Sequence, residues 1–303
     1  MRIVFMGTPD FAVPSLEILH RNFSVVAVVT APDKPAGRGL QVHESPVKSF
    51  ATANNLKILQ PEKLRDETFL SGLKALNADL FVVVAFRMLP EIVWSMPSKG
   101  TINLHASLLP DYRGAAPINW AIMNGEKETG LTTFFIQQEI DTGKVIHQKI
   151  LSVGENETAG ELHDRMMNDG AELLFQTVRM IETEKAIPVA QPEISLWKKA
   201  PKIFKQDCEI DWTKSIDQIY NFIRGLSPHP GAWTKLNDHA MKIYRAEKIH
   251  QPVNSPTGKY KTDGKTFLHF VCNDGLMNVT ELQMEGKKKM KIDEFLRGYR
   301  FSS

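Results

Sequence analysis

Asn103 and His105 stand two apart in the stretch 101–114, TINLHASLLPDYRG. Ile102 and Leu104 alternate with them. That is the period of a β-strand, so the amide and the imidazole leave one face about 7 Å apart along it. A strand that only fills a core has no use for such a pair at its end, because buried polar groups must find partners. An amide can hydrogen-bond a developing oxyanion, and an imidazole can move a proton near neutral pH. Asp141 sits in IQQEIDTGKVI, where Asp-Thr-Gly reads as a turn between two strand patterns. Folded back beside His105, it would orient the ring. Each residue alone has an ordinary structural explanation: a histidine bonded within the fold, an Asn or Asp in a turn. Together, with no nucleophilic Ser or Cys in the set, Asn103, His105 and Asp141 point to acyl chemistry on an external nucleophile.

The residues that follow extend the site. Ser107, Leu108, Leu109 and Pro110 form a sharply bent loop whose backbone groups can hydrogen-bond a heterocycle. Arg113 suits an anion at the rim, or equally a set of loop carbonyls. The strand 79–85 ends in another turn, with Phe86, Arg87, Met88 and Leu89, on the same presumed ligand side. The loop DKPAGRGLQ (33–41) carries Lys34 and Arg38 and reads as a mobile surface loop or as an arm towards a phosphate-rich partner. The chain has no GxGxxG and no GxxxxGK[ST], so GTPDF after the first strand supports neither NAD nor ATP. It has no HExxH and no His/Cys cluster, so no metal is expected.

The elements that must position these groups are legible from hydrophobic period. Apolar strands are expected at 2–6, 23–30, 56–59, 79–85 and 101–106. Helical patterns separate them, at about 62–76 and 89–95, with Ser45-Pro46 opening another helix. Alternating strands and helices imply a mostly parallel, Rossmann-like α/β sheet covered on both faces. Strands at 131–137 and 144–153 and a long helix at 158–184 complete the first domain, 1–185. Two prolines and two glycines in 31–44 argue against regular structure there. Residues 186–206, proline- and lysine-rich without apolar period, read as a linker. A helix at about 214–225 and short strand-like runs then suggest a small β-barrel or sandwich over 207–303.

Composition fits a soluble cytoplasmic enzyme: 303 residues, 42% hydrophobic and 24% charged. No apolar run reaches the roughly 18 residues a bilayer span needs, so no membrane partner is expected. Cys208 and Cys272 are too few for a disulfide framework. The net charge of +2 hides an asymmetry: 1–192 carry 18 Lys/Arg against 22 Asp/Glu, and 193–303 carry 19 against 13. A basic C-terminal third suits a polyanion such as nucleic acid, or simply solvated lysines.

With GTPDFAVPSL, PDKPAGRG, INLHASLLPDYRGAAPINWAI and GLTTFFIQQEIDTGKVI, the chain resembles the folate-dependent formyltransferase superfamily, over nearly its whole length. IDW (210–212) and GKKKMKIDEFLRG (286–298) resemble the C-terminal domain of the branch that acts on charged tRNA. The resemblance implies 10-formyltetrahydrofolate as formyl donor, initiator methionyl-tRNA as acceptor, and a C-terminal OB-like barrel that helps hold the tRNA. It implies Asn103, His105 and Asp141 as the catalytic set. It places the folate along Ser107–Pro110, with its pteridine in the 85–90 turn. It sets Arg38, with Lys34, at the tRNA acceptor stem. A monomer is expected. The rival readings are a formyltransferase for an amino sugar-nucleotide, a formyltetrahydrofolate hydrolase and a non-catalytic RNA-binding protein.

Overall fold

A computed structural model describes residues 1–36, 41–192 and 197–301. Its strands and helices, in chain order, begin with β1 (Arg2–Gly7), α1 (Val13–Asn22), β2 (Ser24–Val29), β3 (Lys34–Ala36) and β4 (Gln41–His43). Next come α2 (Pro46–Ala53), β5 (Ile58–Leu59), α3 (Glu67–Ala75), β6 (Leu80–Val84), α4 (Glu91–Trp94) and β7 (Thr101–His105). They continue as β8 (Arg113–Gly114), α5 (Pro117–Met123), β9 (Glu128–Phe135), β10 (Val145–Ser152), α6 (Ala159–Glu182) and β11 (Lys199–Ala200). Last are α7 (Ile216–Leu226), β12 (Ala232–Leu236), β13 (His239–Ile249), β14 (Tyr260–Thr262), β15 (Leu268–Val271), β16 (Leu276–Met284), β17 (Met290–Lys291) and α8 (Ile292–Gly298).

The chain divides into two compact units. One comprises Met1–Gly114, Gly130–Leu151 and His163–Lys198; the other comprises Ala115–Thr129, Ser152–Leu162 and Lys199–Ser303. The first unit is built on a seven-stranded sheet in the order β10-β9-β7-β6-β1-β2-β5. From β5 to β7 all neighbours are parallel, and β9 joins β7 antiparallel. Continuous apolar runs make this possible: Ile3, Val4, Phe5 and Met6 are wholly buried, and every residue of β6 is buried. Strands with no polar face need cover on both sides, which the helices supply. The helix starts follow side-chain caps, Ser45 Oγ to the Lys48 amide at 3.1 Å and Asp66 Oδ1 to the Phe69 amide at 2.9 Å.

The order also fixes where a ligand belongs. The chain runs from β1 outward to β2 and β5, then returns to β6 on the other side of β1. Open sheets bind ligands at the carboxyl ends of strands beside such a reversal. The registers Gly7↔Val84 and Val84↔Leu104 put the exits of β1, β6 and β7 side by side on that edge. At Gly7 a Cβ would stand 2.8 Å from the Ala12 Cβ and 3.0 Å from the Val84 carbonyl oxygen. The glycine of GTPDF therefore serves close packing of the chain as it leaves β1.

Some elements differ from expectation. Residues 31–44 do contain regular structure, since β3 and β4 pair antiparallel with Pro35 opposite Val42. A two-stranded ribbon has free edges, and there a proline withdraws no ladder bond. The helix expected from residue 62 starts at Glu67, behind its Asp66 cap. The short helices α5 and α8 have no period long enough to read from sequence.

The second unit carries an antiparallel sheet, β12-β13-β16-β15-β14 with β17 on β16. Register shifts around Arg245 in β13 bend that strand, and the sheet curls. Its core includes Trp212 stacked on Phe270 at 4.6 Å, with Ile219 and Ile223 of α7 buried beside them.

Candidate active site

His105 ends β7 and is 7% exposed. Its Nε2 lies 2.9 Å from the Tyr112 carbonyl oxygen. A carbonyl only accepts, so this nitrogen carries a hydrogen. In the neutral ring the Nδ1 lone pair is then free to meet a reactant. Tyr112 aims its carbonyl this way because its backbone is left-handed, φ 60°, at a cost of about 1–2 kcal/mol for a non-glycine residue. The Tyr112 amide donates to the Lys198 carbonyl at 2.6 Å, which helps hold that conformation.

Asp141 comes from the turn between β9 and β10. Its Oδ2 faces His105 Nδ1 at 3.8 Å and accepts the Gly114 amide at 3.0 Å. The spacing to the ring exceeds a hydrogen bond, yet a reacting group between the two atoms would touch both. Asp141 is itself left-handed, φ 55°. Two residues on, a Cβ on Gly143 would fall 1.6 Å from the Phe135 carbonyl oxygen, so only glycine closes this turn. The structure thus brings Asp141 to His105 across 36 residues of sequence. Asn103, on the same side of β7, pairs in register with Val83 and Phe134. It is half-buried, and its side chain makes no hydrogen bond among the described residues.

Ser107–Pro110 leave β7 under tight constraint. Thr132, wholly buried on β9, donates its hydroxyl to the Ser107 carbonyl at 2.6 Å and accepts the Leu109 amide at 3.1 Å. Gln148 of β10 donates to the Leu109 carbonyl at 3.0 Å and to the Thr132 hydroxyl at 2.9 Å. Ser107 Oγ donates to the Asp111 carbonyl at 2.7 Å, and the Asp111 amide to the Leu108 carbonyl at 3.1 Å. Much of the backbone expected to face a heterocycle is therefore engaged within the loop.

The turn after β6 is shaped by Ala85 at φ 47°. Arg87 donates to the Glu62 carbonyl at 2.9 Å and to the Pro61 carbonyl, and its guanidinium lies 5.6 Å over the Phe86 ring. Desolvation draws that guanidinium below its ordinary value, leaving it charged at neutral pH. Phe86 is half-buried and Leu89 buried, whereas Met88 is 73% exposed. Lys34 opens β3, and Arg38 lies outside the described residues.

Arg113, open between an anion at the rim and a set of loop carbonyls, grips Gln191 from Nε at 3.2 Å and Nη2 at 2.5 Å, with the Trp197 ring 5.0 Å away. Gln191 lies in what reads as linker. The sequence gives no signal for it, nor for the Tyr112 carbonyl. Thr132 did carry one, as a hydroxyl inside the apolar run LTTFF. Among the described residues no group of three or more His, Cys, Asp or Glu is arranged to hold a metal, and no helix is long and apolar enough to cross a membrane.

Comparison with known proteins bears on this site. Residues 1–178 match the family model for formyl transferase, and residues 202–300 match that for formyl transferase, C-terminal domain. The methionyl-tRNA formyltransferase of Bacteroides thetaiotaomicron is 50% identical over 311 aligned positions, covering 100% of this chain and 97% of that protein. The methionyl-tRNA formyltransferase of Clostridium thermocellum has a similar fold, with TM-score 0.56 at 18% identity over 82% of this chain and 93% of that one. A sugar 3N-formyltransferase solved in the presence of dTDP and 5-N-formyl-THF superposes with TM-score 0.67 at 21% identity. It covers 95% of this chain and 99% of that one.

Proposed function

We infer the mechanism from the site and from kinship: the chain belongs to the formyl transferase family, among its methionyl-tRNA formyltransferases. It transfers a formyl group to methionyl-tRNA. The donor we propose is 10-formyltetrahydrofolate, and the acceptor the α-amino group of initiator methionyl-tRNA. The half-identical relative along the full chain favours tRNA over an amino sugar-nucleotide, since the sugar enzyme's likeness at 21% identity speaks only for the fold. We propose that the enzyme works as a cytoplasmic monomer. Residues 207–303, with the basic balance beyond 192, are proposed to help grip the tRNA, together with Lys34 and Arg38.

The amine attacks the formyl carbon, a new C–N bond forms, and the carbonyl oxygen gains negative charge. Asn103 donates its amide N–H to that oxygen, an oxyanion-hole role that suits a side chain left half-buried on β7. The proton leaving the amine is taken up between His105 Nδ1 and Asp141 and delivered to the folate nitrogen as its C–N bond breaks. The observation that carries this reading is the pairing of roles on one ring: Nε2 is held by the Tyr112 carbonyl, and Nδ1 faces Asp141 Oδ2 at 3.8 Å. The folate ring is proposed to lie against Phe86, Met88 and Leu89 on one side and Leu108–Pro110 on the other. Apolar side chains at the 85–90 turn suit a flat heterocycle.

The test is formyl transfer by Asn103→Ala and His105→Ala with 10-formyltetrahydrofolate and charged initiator tRNA. Loss of one oxyanion donor typically costs about 10²–10³ in kcat and loss of a general acid–base group about 10²–10⁴, so each variant is expected to fall at least about 10². Activity within about threefold of wild type would remove these residues from the mechanism. Parallel incubations with an amino sugar-nucleotide or water alone should show no matching formyl loss.

A further inference from the structure

Gln191 ties the turn that carries Asp141 to Arg113. Its Nε2 donates to the Asp141 carbonyl at 2.8 Å and to the Gly143 carbonyl at 2.9 Å. Its Oε1 accepts both Arg113 contacts, at 3.2 and 2.5 Å. Arg113 lies between Tyr112, whose carbonyl holds His105 Nε2, and Gly114, whose amide holds Asp141 Oδ2. An amide suits this place, because one end must accept from a guanidinium while the other donates to two carbonyls. Two residues earlier, Val189 exchanges backbone bonds with Val145, each 2.8 Å, just beyond the turn.

The need for such a tie follows from the turn's own conformation. Asp141 is left-handed without being glycine, and that geometry persists only where neighbours over-determine it. Gly143 passes so close to the Phe135 carbonyl that a side chain there would clash with it. Gln191 ties the turn down through the backbone of the residue whose carboxylate faces His105. We propose that Gln191 is a positioning residue for formyl transfer, fixing the Asp141 carboxylate against His105 Nδ1. This inference rests on Asn103, His105 and Asp141 being the reacting set.

Gln191→Glu preserves shape and keeps the Arg113 contact, but sets an oxygen against two carbonyl oxygens. Misplacing a reacting group by about 1 Å can cost about 10² in rate. Single-turnover formylation of methionyl-tRNA by the full chain is expected to slow about 30–100-fold. KM for 10-formyltetrahydrofolate and for tRNA should stay within about threefold, since Gln191 touches neither proposed binding surface. On an Asp141→Ala background the same change should cost less than about threefold, because its target is already gone. Gln191→Ala, checked for native folding by near-UV circular dichroism, gives a second variant should the glutamate not accumulate. A rate within about threefold of wild type in either folded variant overturns the proposal. So does an undiminished loss on the Asp141→Ala background, which would mark a general structural role. If Asp141→Ala is itself fully active, the reading of the site fails and this inference with it. If Asp141→Ala is impaired while the Gln191 variants are not, only this inference fails.

Discussion

Thr132→Val isolates what organises the Ser107–Pro110 loop. The swap nearly preserves shape and removes one hydroxyl. In the wild type that hydroxyl donates to the Ser107 carbonyl, accepts the Leu109 amide and accepts a Gln148 N–H. Thr132 is 0% exposed and Leu109 is 5% exposed, so water offers little replacement. The orphaned Leu109 amide costs about 1–3 kcal/mol, and the lost bond to Ser107 about 1 kcal/mol more. Gln148 keeps its bond to the Leu109 carbonyl, so that site adds nothing. The expected loss is about 2–4 kcal/mol. For a folding unit of this size that lowers the thermal midpoint by about 4–16 °C. Thr132→Ser keeps the hydroxyl and should recover most of it. Differential scanning calorimetry of the three proteins reads stability, and initial rates against 10-formyltetrahydrofolate read the loop, with KM for the donor rising in Thr132→Val. A Thr132→Val midpoint within about 1 °C of wild type would refute the reasoning, because two buried backbone groups would then have lost a partner at no cost.

Arg38→Ala should weaken tRNA use and reduce the slope of log K against log salt by about one, with donor KM unchanged; filter binding over a salt series checks it, and an unchanged slope excludes Arg38 from the phosphate contacts. Burial, helped by the Asp274 charge, pushes the Cys272 thiol up to about 12, and burial also raises Cys208. Neither thiol should react with an aromatic disulfide reagent at about pH 8 in the native protein, and both should react once it is denatured. Asp263 accepts from the Thr266 hydroxyl at 2.6 Å and from the Thr266 and Lys265 amides, which holds its carboxyl well below the usual carboxylate range. Its stabilisation is complete above the unfolded value and fades as pH falls below about 4. Thermal midpoints from about pH 5 to about pH 2.5 should therefore fall less steeply in Asp263→Asn, and parallel curves would count against it.

The sheet was legible because fully buried parallel strands leave unbroken apolar runs, as RIVFM and DLFVVVA do. Asn103 and His105 were legible because a period of two puts them on one face. The approach of Asp141 to His105 was not legible, since nothing local says which way a turn folds back. Tyr112 and Gln191 escaped for different reasons. Tyr112 acts through a carbonyl that every residue possesses, and its left-handed backbone leaves no mark on its side chain. Gln191 lies between prolines in a segment without period, and only its hydrogen bonds to Asp141, Gly143 and Arg113 give it meaning. Arg113 was open between ligand and loop, and Gln191 with Trp197 accounts for its side chain.

The division of the chain bears on how it folds as it is made. Helix α5 belongs to the unit completed by Lys199–Ser303 and packs against α7. Asn119 donates to the Gly225 carbonyl at 2.8 Å, and a Cβ on Gly225 would meet the Met123 amide at 2.9 Å. Roughly a hundred residues separate these partners, so at about 5–20 residues per second α5 leaves the ribosome about 5–20 s before α7 exists. During that interval the apolar side of a seven-residue helix has no mate. A nascent chain stalled before residue 216 should therefore expose it to chaperones, and one extended past α8 should not.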